Sequence, residues 1–252
     1  MNVVTWNAQG AQSKWGAISQ EMKSGAFSML LLQEVTEVTK NATFVADYGD
    51  CHLYRYSPGG TRFRPLPEWY IVYHEWRETW PGGNKRCSLA TAIRQYRPTH
   101  AETRLLPGNR RPTLGVQPGA GRPWIFNLHA TSGGGGAADA KDLIAGIWGD
   151  ETVYSAQAGW VLAGDFNADP GQMEAHPFYE NHIVHPPTDP THPAWGRGPY
   201  NAIERSLDYA ISSPDVGVSE QCERYESALL QSDHYPQLFE VNAAIPVAGA
   251  EF

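Results

Sequence analysis

Acidic, amide and imidazole side chains follow several short apolar runs of this sequence, and these residue types can carry hydrolytic chemistry. The run "GWVLAGDFNADP" leads into Asp165 and Asn167, "VVTWNAQG" leads into Asn7, and "SMLLLQEV" leads into Gln33 and Glu34. The ends of strands on a rigid sheet are where α/β proteins usually place their sites. The recurrence predicts that these side chains meet at one edge of a sheet.

Two histidines and further acids extend the pattern. "PWIFNLHA" ends in His129, "RSLDYAI" carries Asp208, and "LQSDHYP" carries Asp233 and His234. Carboxylate and amide oxygens suit Mg²⁺, and histidine moves protons near neutral pH. No Gly-x-Ser-x-Gly elbow and no phosphate-binding loop pattern occurs in the chain. The set therefore predicts metal-assisted attack of water on a phosphate ester.

Each of these residues also has an ordinary structural explanation. Glu34 could be a solvated loop acid, Asp165 a turn residue, and His129 a hydrogen-bonded core histidine. Asp208 is harder to explain in this way, because an acid inside an apolar strand needs a partner once it is buried. The structural explanations must all hold together for the chain to lack a site.

Composition places limits on the class of protein. Hydrophobic residues make up 41% and charged residues 18% of the 252 residues, which is typical of a globular protein. The net charge of −8 excludes wrapping of nucleic acid by bulk positive charge, so phosphate contacts must be local, through a few arginines or a metal. No apolar run approaches the ~20 residues of a membrane span.

The cysteines and the first residues leave alternatives open. Cys51, Cys87 and Cys222 fit either one disulfide with a free thiol or three buried thiols. The opening "MNVVTWN" lacks the basic region and long apolar run of a signal peptide. The sequence is therefore compatible with either a cytosolic protein or the mature form of a secreted protein.

Short apolar runs bounded by turn residues predict ten strands. They are Asn2–Trp6, Met29–Gln33, His52–Tyr56, Trp69–Tyr73, Ser88–Arg94, Thr113–Gln117, Trp124–His129, Trp160–Gly164, Ser206–Ser212 and Pro236–Val241. Apolar spacing predicts helices at Lys14–Lys23 and Asp139–Trp148, and Pro186–Pro199 is predicted to be a long surface loop. These elements predict one layered α/β domain spanning residues 1–252 with two sheets.

Taken in order, the segments "TWNAQG", "LLLQEV", "FNLHA", "LAGDFNADP", "SLDYAI" and "SDHYP" resemble the endonuclease/exonuclease/phosphatase superfamily, which includes pancreatic deoxyribonuclease. "KRCSLATAIR", "RRPTLGVQ" and "WIFNLHATSGGGGAADA" are similar, more closely, to the B subunits of cytolethal distending toxins. The resemblance implies a four-layer α/β sandwich of two packed, mostly antiparallel sheets flanked by helices. It also implies a secreted toxin subunit without its signal peptide, which acts in the target-cell nucleus.

The resemblance assigns roles around a divalent cation, Mg²⁺ or alternatively Mn²⁺ or Ca²⁺. Glu34 matches the main metal ligand, Asp233 a second ligand, and Asn7 a residue that contacts the metal or the scissile phosphate. Asp165 and Asn167 match the pair that orients the attacking water and the transition-state oxygens.

The same resemblance implies two histidine dyads and two phosphate contacts. His234 with Asp208 matches one dyad, and His129 matches the second histidine. Glu68 is the expected partner of His129, placed by its spacing from the following strand. The phosphate-backbone contacts match Arg86 and Arg111, with Lys85 as the alternative to Arg86 and surface salt bridges as the alternative for both.

Three functions follow from these expectations. The first is a Mg²⁺-dependent endonuclease acting on DNA, and the second is a phosphoinositide phosphatase or sphingomyelinase that acts on a phospholipid head group with the same mechanism. The third is a binding or delivery module with a decayed active centre, which a missing catalytic residue would indicate; none is missing. Toxin delivery subunits are the partners that the resemblance implies.

Overall fold

The computed structural model describes residues 1–61, 63–76, 85–174, 182–193, 204–227 and 230–242. The strands in these ranges are β1 (Asn2–Asn7), β2 (Met29–Gln33), β3 (Thr43–Tyr48), β4 (Cys51–Tyr56), β5 (Gly60–Thr61), β6 (Arg64–Pro65), β7 (Trp69–His74), β8 (Leu89–Arg94), β9 (Thr103–Leu106), β10 (Thr113–Val116), β11 (Trp124–His129), β12 (Trp160–Asp165), β13 (Ile183–His185), β14 (Asp208–Ser212), β15 (Glu223–Arg224) and β16 (Gln237–Glu240). The helices are α1 (Trp15–Ser24), α2 (Gly136–Gly149), α3 (Glu151–Ser155) and α4 (Gly171–Glu174), with 3₁₀ turns at Ala11–Lys14, Lys85–Cys87 and His100–Glu102.

Two sheets form the centre of the molecule. The larger has eight strands in the order β15-β16-β1-β2-β8-β7-β4-β3, and the smaller has six in the order β13-β14-β12-β11-β10-β9. Within these two sheets β1 pairs with β2 and β11 pairs with β12 in parallel, and the other described strand pairs are antiparallel. The predicted arrangement of two packed, mostly antiparallel sheets is confirmed.

The long helices cover the outer faces of the sheets. Trp15, Ile18 and Met22 of α1 pack on the outer face of the eight-stranded sheet, in a core separate from the one between the sheets. Leu143 and Ile147 of α2 pack against the six-stranded sheet. Each of these two helices buries one mainly apolar stripe, as the 3.6-residue spacing predicts. The order helix, sheet, sheet, helix gives the expected four layers.

Most predicted elements match the structure closely. The predicted strands Met29–Gln33 and Trp124–His129 match the observed strands at both ends. The other eight predicted strands differ from the observed ones only at their ends. Six short or outlying strands have no counterpart among the predicted ones, namely β3, β5, β6, β9, β13 and β15. Each lies at an edge of its sheet, where half of the side chains meet solvent and the alternating apolar signal weakens. The predicted surface loop Pro186–Pro199 is described only as far as residue 193.

No disulfide joins Cys51, Cys87 and Cys222, which all lie in described ranges. Cys51 and Cys222 are buried, and Cys87 is partly exposed. Neither open alternative for the cysteines is therefore met in full.

Candidate active site

The pairing of strands brings the predicted site residues to one edge of the sandwich. β1 runs parallel to β2, and β11 runs parallel to β12. Within each pair the carboxyl ends of the two strands therefore lie side by side. Asn7 ends β1, and Glu34 directly follows β2. His129 ends β11 opposite Asp165, and Asp165 is also the register partner of Asp208. The strand-end pattern in the sequence is thus a cluster in space.

A buried amide pair ties the two sheets together beneath this edge. Gln33 Nε2 donates to Asn127 Oδ1 at 2.7 Å, and Asn127 Nδ2 donates to the carbonyls of Leu32 and Ala90 at 3.1 Å. Gln33 and Asn127 are fully buried, where a hydrogen bond that is left unmade is costly. The pair therefore fixes how β2 and β11 face each other, and with them the neighbouring Glu34 and His129.

Asp165 lies at the centre of the cluster. It is 1% exposed, accepts a hydrogen bond from Asn7 Nδ2 at 2.9 Å, and accepts another from the backbone N–H of Asn167 at 2.9 Å. His129 Nε2 and His234 Nε2 lie 3.6 and 3.7 Å from Asp165 Oδ2. Burial raises the pKa of Asp165 above its ordinary value, although the two imidazoles oppose the shift. A carboxyl group between two imidazoles can exchange protons with either.

His234 and Asp208 form the expected dyad. His234 Nδ1 lies 2.7 Å from Asp208 Oδ2, and that oxygen also accepts from Thr191 Oγ1 at 2.7 Å. Burial acts to lower the pKa of His234, but the carboxylates of Asp208 and Asp165 outweigh burial and raise it to about 10. An acid that holds one nitrogen also fixes the orientation of the ring. The geometry therefore favours a charged His234 that presents Nε2 to Asp165.

His129 has the opposite charge state. Its Nε2 lies 3.8 Å from Glu34 Oε1 as well as 3.6 Å from Asp165, and its Nδ1 is buried without a hydrogen-bond partner among the described residues. Burial, helped by the positive charge of Arg111, lowers the pKa of His129 to about 4. At neutral pH the His129 imidazole is thus neutral and the His234 imidazole is charged, and the two flank the same Asp165 carboxyl group.

Glu68 does not pair with His129, and this expectation is wrong. Antiparallel pairing of β2 with β8 and of β8 with β7 puts the start of β7 at the edge of the sheet opposite to Glu34. There the Glu68 side chain is 49% exposed, 3.9 Å from Arg55 Nε and 3.4 Å from the hydroxyl of Tyr70. The spacing that suggested the pair carries no information on strand direction.

Glu34 offers carboxylate oxygens at the rim of the cluster. Its backbone has a φ of +55°, unusual outside glycine, at the point where the chain turns away after β2. Asn7 Nδ2 lies 3.4 Å from Glu34 Oε1, and Arg86 Nε donates to Oε2. The carboxylate oxygens of Glu34 fit the oxygen-ligand chemistry of Mg²⁺, whereas Asn7 Oδ1 accepts from the backbone N–H of Gln9 at 3.1 Å.

Asp233 lies next to the segment that carries Asn7, because the neighbouring Ser232 hydroxyl donates to the Asn7 carbonyl at 2.8 Å. Its Oδ2 accepts from Gln9 Nε2 at 2.6 Å, and its Oδ1 accepts from Ser232 Oγ at 3.1 Å. Two sets of three acidic or histidine side chains in the described ranges bring their ligand atoms within 4.8 Å of one another. The sets are Asp165, Asp208 and His234, and His192, Asp233 and His234.

Arg111 and Asn167 hold the chain that leaves β11. Arg111 donates to the carbonyls of Ala130 and His129 at 3.1 and 3.3 Å, and Asn167 Nδ2 donates to the Ala130 carbonyl at 2.9 Å. The predicted partner of both residues is substrate. In this structure their side chains position the backbone next to His129. The Arg86 side chain is half exposed.

Two residues that the sequence did not single out lie at the site. Thr191 is fully buried, and its hydroxyl accepts from the N–H groups of Leu207 and Asp208 while it donates to the Asp208 carboxylate. His192 packs against His234. Both fall in the stretch predicted as a surface loop, and the short "PTHP" offers no periodic signal that would have identified them.

Comparisons with known proteins agree with the fold described above. Residues 4–234 match the model of the Endonuclease/Exonuclease/phosphatase family. A homolog of the cytolethal distending toxin B subunit, from Salmonella typhi, is 27% identical over 94% of this chain and 88% of its own. A chain of the cytolethal distending toxin of Actinobacillus actinomycetemcomitans superposes with a TM-score of 0.75 and 25% identity, covering 94% of this chain and 97% of that chain. One from Haemophilus ducreyi gives 0.73 and 26%, covering 96% and 98%.

Among the residues that the structure describes, none of the helices has the length and apolar character needed to span a bilayer.

Proposed function

Because the chain belongs to the endonuclease/exonuclease/phosphatase family, we propose that it is a Mg²⁺-dependent endonuclease that hydrolyses phosphodiester bonds of DNA. Family membership makes the chain a hydrolase of the nuclease and phosphodiesterase type. The observation that supports the finer proposal is the buried Asp165 carboxyl between a neutral and a charged imidazole. The family match across residues 4–234 supports one domain over residues 1–252.

The proposed cation ligands are Glu34, Asp233 and the amide oxygen of Asn7. These are hard oxygen donors, which suit Mg²⁺ and its substitutes Mn²⁺ and Ca²⁺ better than a soft ion. When bound, such an ion polarises a phosphate oxygen and lowers the pKa of water.

The other side chains divide the proton transfers. Asp165, whose basicity burial raises, or the neutral His129 accepts a proton from the attacking water. The charged His234, held by Asp208, donates a proton to the leaving oxygen. Asn7 and Asn167 orient the water and the phosphate oxygens. Two titratable groups whose environments push their pKa values apart are suited to such an acid–base division.

Substrate recognition is proposed for Arg86 and Arg111. A guanidinium group can bind two phosphate oxygens at once, and a few such contacts supply what a chain of net charge −8 lacks. Arg86 reaches Glu34, and Arg111 lies against the backbone of His129, so both flank the proposed reaction centre.

Nicking of supercoiled plasmid tests the proposal. Purified protein in Mg²⁺ is expected to convert supercoiled DNA to the open-circular form, and excess chelator is expected to stop the reaction. Intact supercoiled DNA after incubation with Mg²⁺ would refute the endonuclease proposal.

The acidic net charge favours a second candidate, hydrolysis of a phospholipid head group by the same residues. A screen for phosphate release from phosphoinositides, together with phosphocholine release from sphingomyelin, tests it. Absence of both products alongside plasmid nicking would remove this candidate. Delivery subunits remain a proposed class of partner, in keeping with the toxin relatives.

Replacing Glu34 with Gln is expected to raise the Mg²⁺ concentration that supports half-maximal nicking by at least ~10-fold, because a neutral amide binds Mg²⁺ more weakly than a carboxylate. The matched control is Glu37→Gln, which changes an acid three residues further along the chain. An unchanged Mg²⁺ titration in Glu34→Gln would exclude Glu34 as the main ligand.

Replacing Arg111 with Ala is expected to weaken DNA binding by about 10-fold, the scale of ~1.4 kcal/mol, more than it slows cleavage of a small phosphodiester. A long substrate contacts the flanking arginine and a small one does not. Binding is measured by fluorescence anisotropy and turnover with bis(p-nitrophenyl) phosphate. Equal losses with both substrates would argue against a backbone contact and for the structural hydrogen bonds of Arg111.

A further inference from the structure

A second group of potential metal ligands adjoins the proposed reaction centre. One ligand atom from each of His192, Asp233 and His234 lies within 4.8 Å of the other two. The proposed hydrolysis does not use His192. We propose that these three side chains bind Zn²⁺ and that bound zinc inhibits hydrolysis by occupying His234. The binding stands on its own, and the inhibition rests on the proposed function.

His192 is held firmly beside His234. The backbone N–H of His192 donates to the Arg205 carbonyl at 3.0 Å, and its carbonyl accepts from the Arg205 N–H at 3.0 Å. The preceding Thr191 carbonyl accepts from the Tyr235 N–H at 2.7 Å. The imidazoles of His192 and His234 meet edge to face, with ring centroids 5.0 Å apart and an angle of 83°. The backbone thus fixes the second imidazole next to the first.

Each imidazole has a nitrogen that a metal can take, and His234 Nε2 releases its proton to solvent when zinc binds. Asp208 binds His234 Nδ1 and leaves Nε2 facing the site, the carboxylate–histidine arrangement that orients metal-binding histidines in other proteins. The Nδ1 of His192 is buried without a hydrogen-bond partner among the described residues. Asp233 accepts one hydrogen bond on each oxygen, and a carboxylate oxygen has a further lone pair to offer.

The ligand set selects the ion. Two imidazole nitrogens and one carboxylate oxygen suit Zn²⁺, whereas Mg²⁺ prefers oxygen ligands throughout. Ligand atoms around a tetrahedral zinc ion with bonds of ~2.0 Å lie about 3.3 Å apart, so binding draws the three side chains inward. Three protein ligands leave a fourth position for water or a phosphate oxygen.

Zinc at this position blocks the proposed proton donor. The nitrogen it takes is His234 Nε2, which lies 3.7 Å from Asp165 Oδ2 and would otherwise carry the proton. Asp233, a proposed Mg²⁺ ligand, is drawn to the same ion. Zinc therefore inhibits in two ways, by taking the nitrogen of the proton donor and by drawing one ligand away from the proposed Mg²⁺ site.

Calorimetric titration of zinc into chelator-treated protein, in excess Mg²⁺, tests the binding. His192→Phe retains a ring against His234 and removes both nitrogens, and His192→Asn is the second variant should the Phe protein fail to fold. The control is His52→Phe, which alters a partly exposed histidine 2.6 Å from Asp47. We expect the wild type and the control to bind one zinc ion with the same affinity and the His192 variants to bind it at least ~10-fold more weakly. Equal zinc affinity in the His192 variants would overturn the site.

Plasmid nicking at increasing zinc then tests inhibition, with each variant normalised to its own rate in Mg²⁺ alone. The His192 variants are expected to need at least ~10-fold more zinc than the wild type for half inhibition, in step with their affinity. Weaker zinc binding with undiminished inhibition would overturn the inhibitory role. If the wild type does not nick DNA at all, the proposed function fails, while the calorimetric result still decides the zinc site.

Discussion

Replacement of His234 with Ala is expected to lower Mg²⁺-supported plasmid nicking at least ~100-fold, the usual contribution of a general acid or base. The reason is the charge state of this imidazole. Asp208 and Asp165 raise the pKa of His234 to about 10 against the effect of burial, so the ring carries its proton at neutral pH and can give it to the leaving oxygen. The measurement is the single-turnover nicking rate at saturating Mg²⁺.

The control for this variant is His185→Ala. His185 is also buried and hydrogen-bonded, at 2.9 Å to Ser212 Oγ, but it lies outside the cluster around Asp165, and its loss is expected to change stability more than rate. Asp208→Asn should also slow nicking, and the double variant with His234→Ala should be no slower than the slower single variant, because the dyad acts as a unit. Unchanged turnover in His234→Ala would refute the dyad.

The sequence predicts the strand-end cluster because buried strands leave a strong local signal. The continuous apolar run "WVLAG" marks most of β12, and the first polar residue after it, Asp165, marks the edge of the sheet. Parallel pairing of β11 with β12 then places His129 opposite Asp165 without any further adjustment. The sequence identifies each polar residue at a strand end, and the shared direction of the paired strands brings these residues together in space.

Features that depend on long-range placement are not accessible in the same way. Glu68 was expected to pair with His129 because of its spacing from β7. The antiparallel pairing of β7 with β8 shows instead that Glu68 lies at the edge of the sheet opposite to Glu34. His192 reaches His234 through an isolated bridge to Arg205, and a single bridge leaves no periodic pattern in the sequence. The family resemblance assigned roles to residues but could not supply these contacts.

The two imidazoles owe their opposite charge states to local surroundings. Both are buried, and both lie within 3.7 Å of the same Asp165 oxygen. His234 has a second carboxylate, that of Asp208, within hydrogen-bond distance of its Nδ1. His129 instead lies near the positive charge of Arg111, which lowers its pKa further. Burial acts to lower the pKa of both rings. At His234 the carboxylates outweigh burial, and at His129 burial prevails with the help of Arg111, so the two rings are suited to opposite proton transfers.

Replacement of His129 with Gln should likewise lower the nicking rate at least ~100-fold, and it should also make the protein more resistant to acid. The pKa of His129 is about 4 in the folded protein and about 6.5 when unfolded. Between these values the unfolded chain binds one more proton, so wild-type stability falls as pH drops, by about 3 kcal/mol in all. The variant lacks this loss.

Urea unfolding at pH 7 and at pH 4.5, in chelator, measures the effect. The free energy of unfolding of the wild type should fall more steeply between these pH values than that of His129→Gln, by an amount on the order of 2 kcal/mol. His100→Gln, which changes an exposed histidine, should follow the wild type. A charged His129 in the folded protein would give the variant and the wild type the same pH dependence. That result would remove His129 as a neutral proton acceptor and leave Asp165 to take the proton from water.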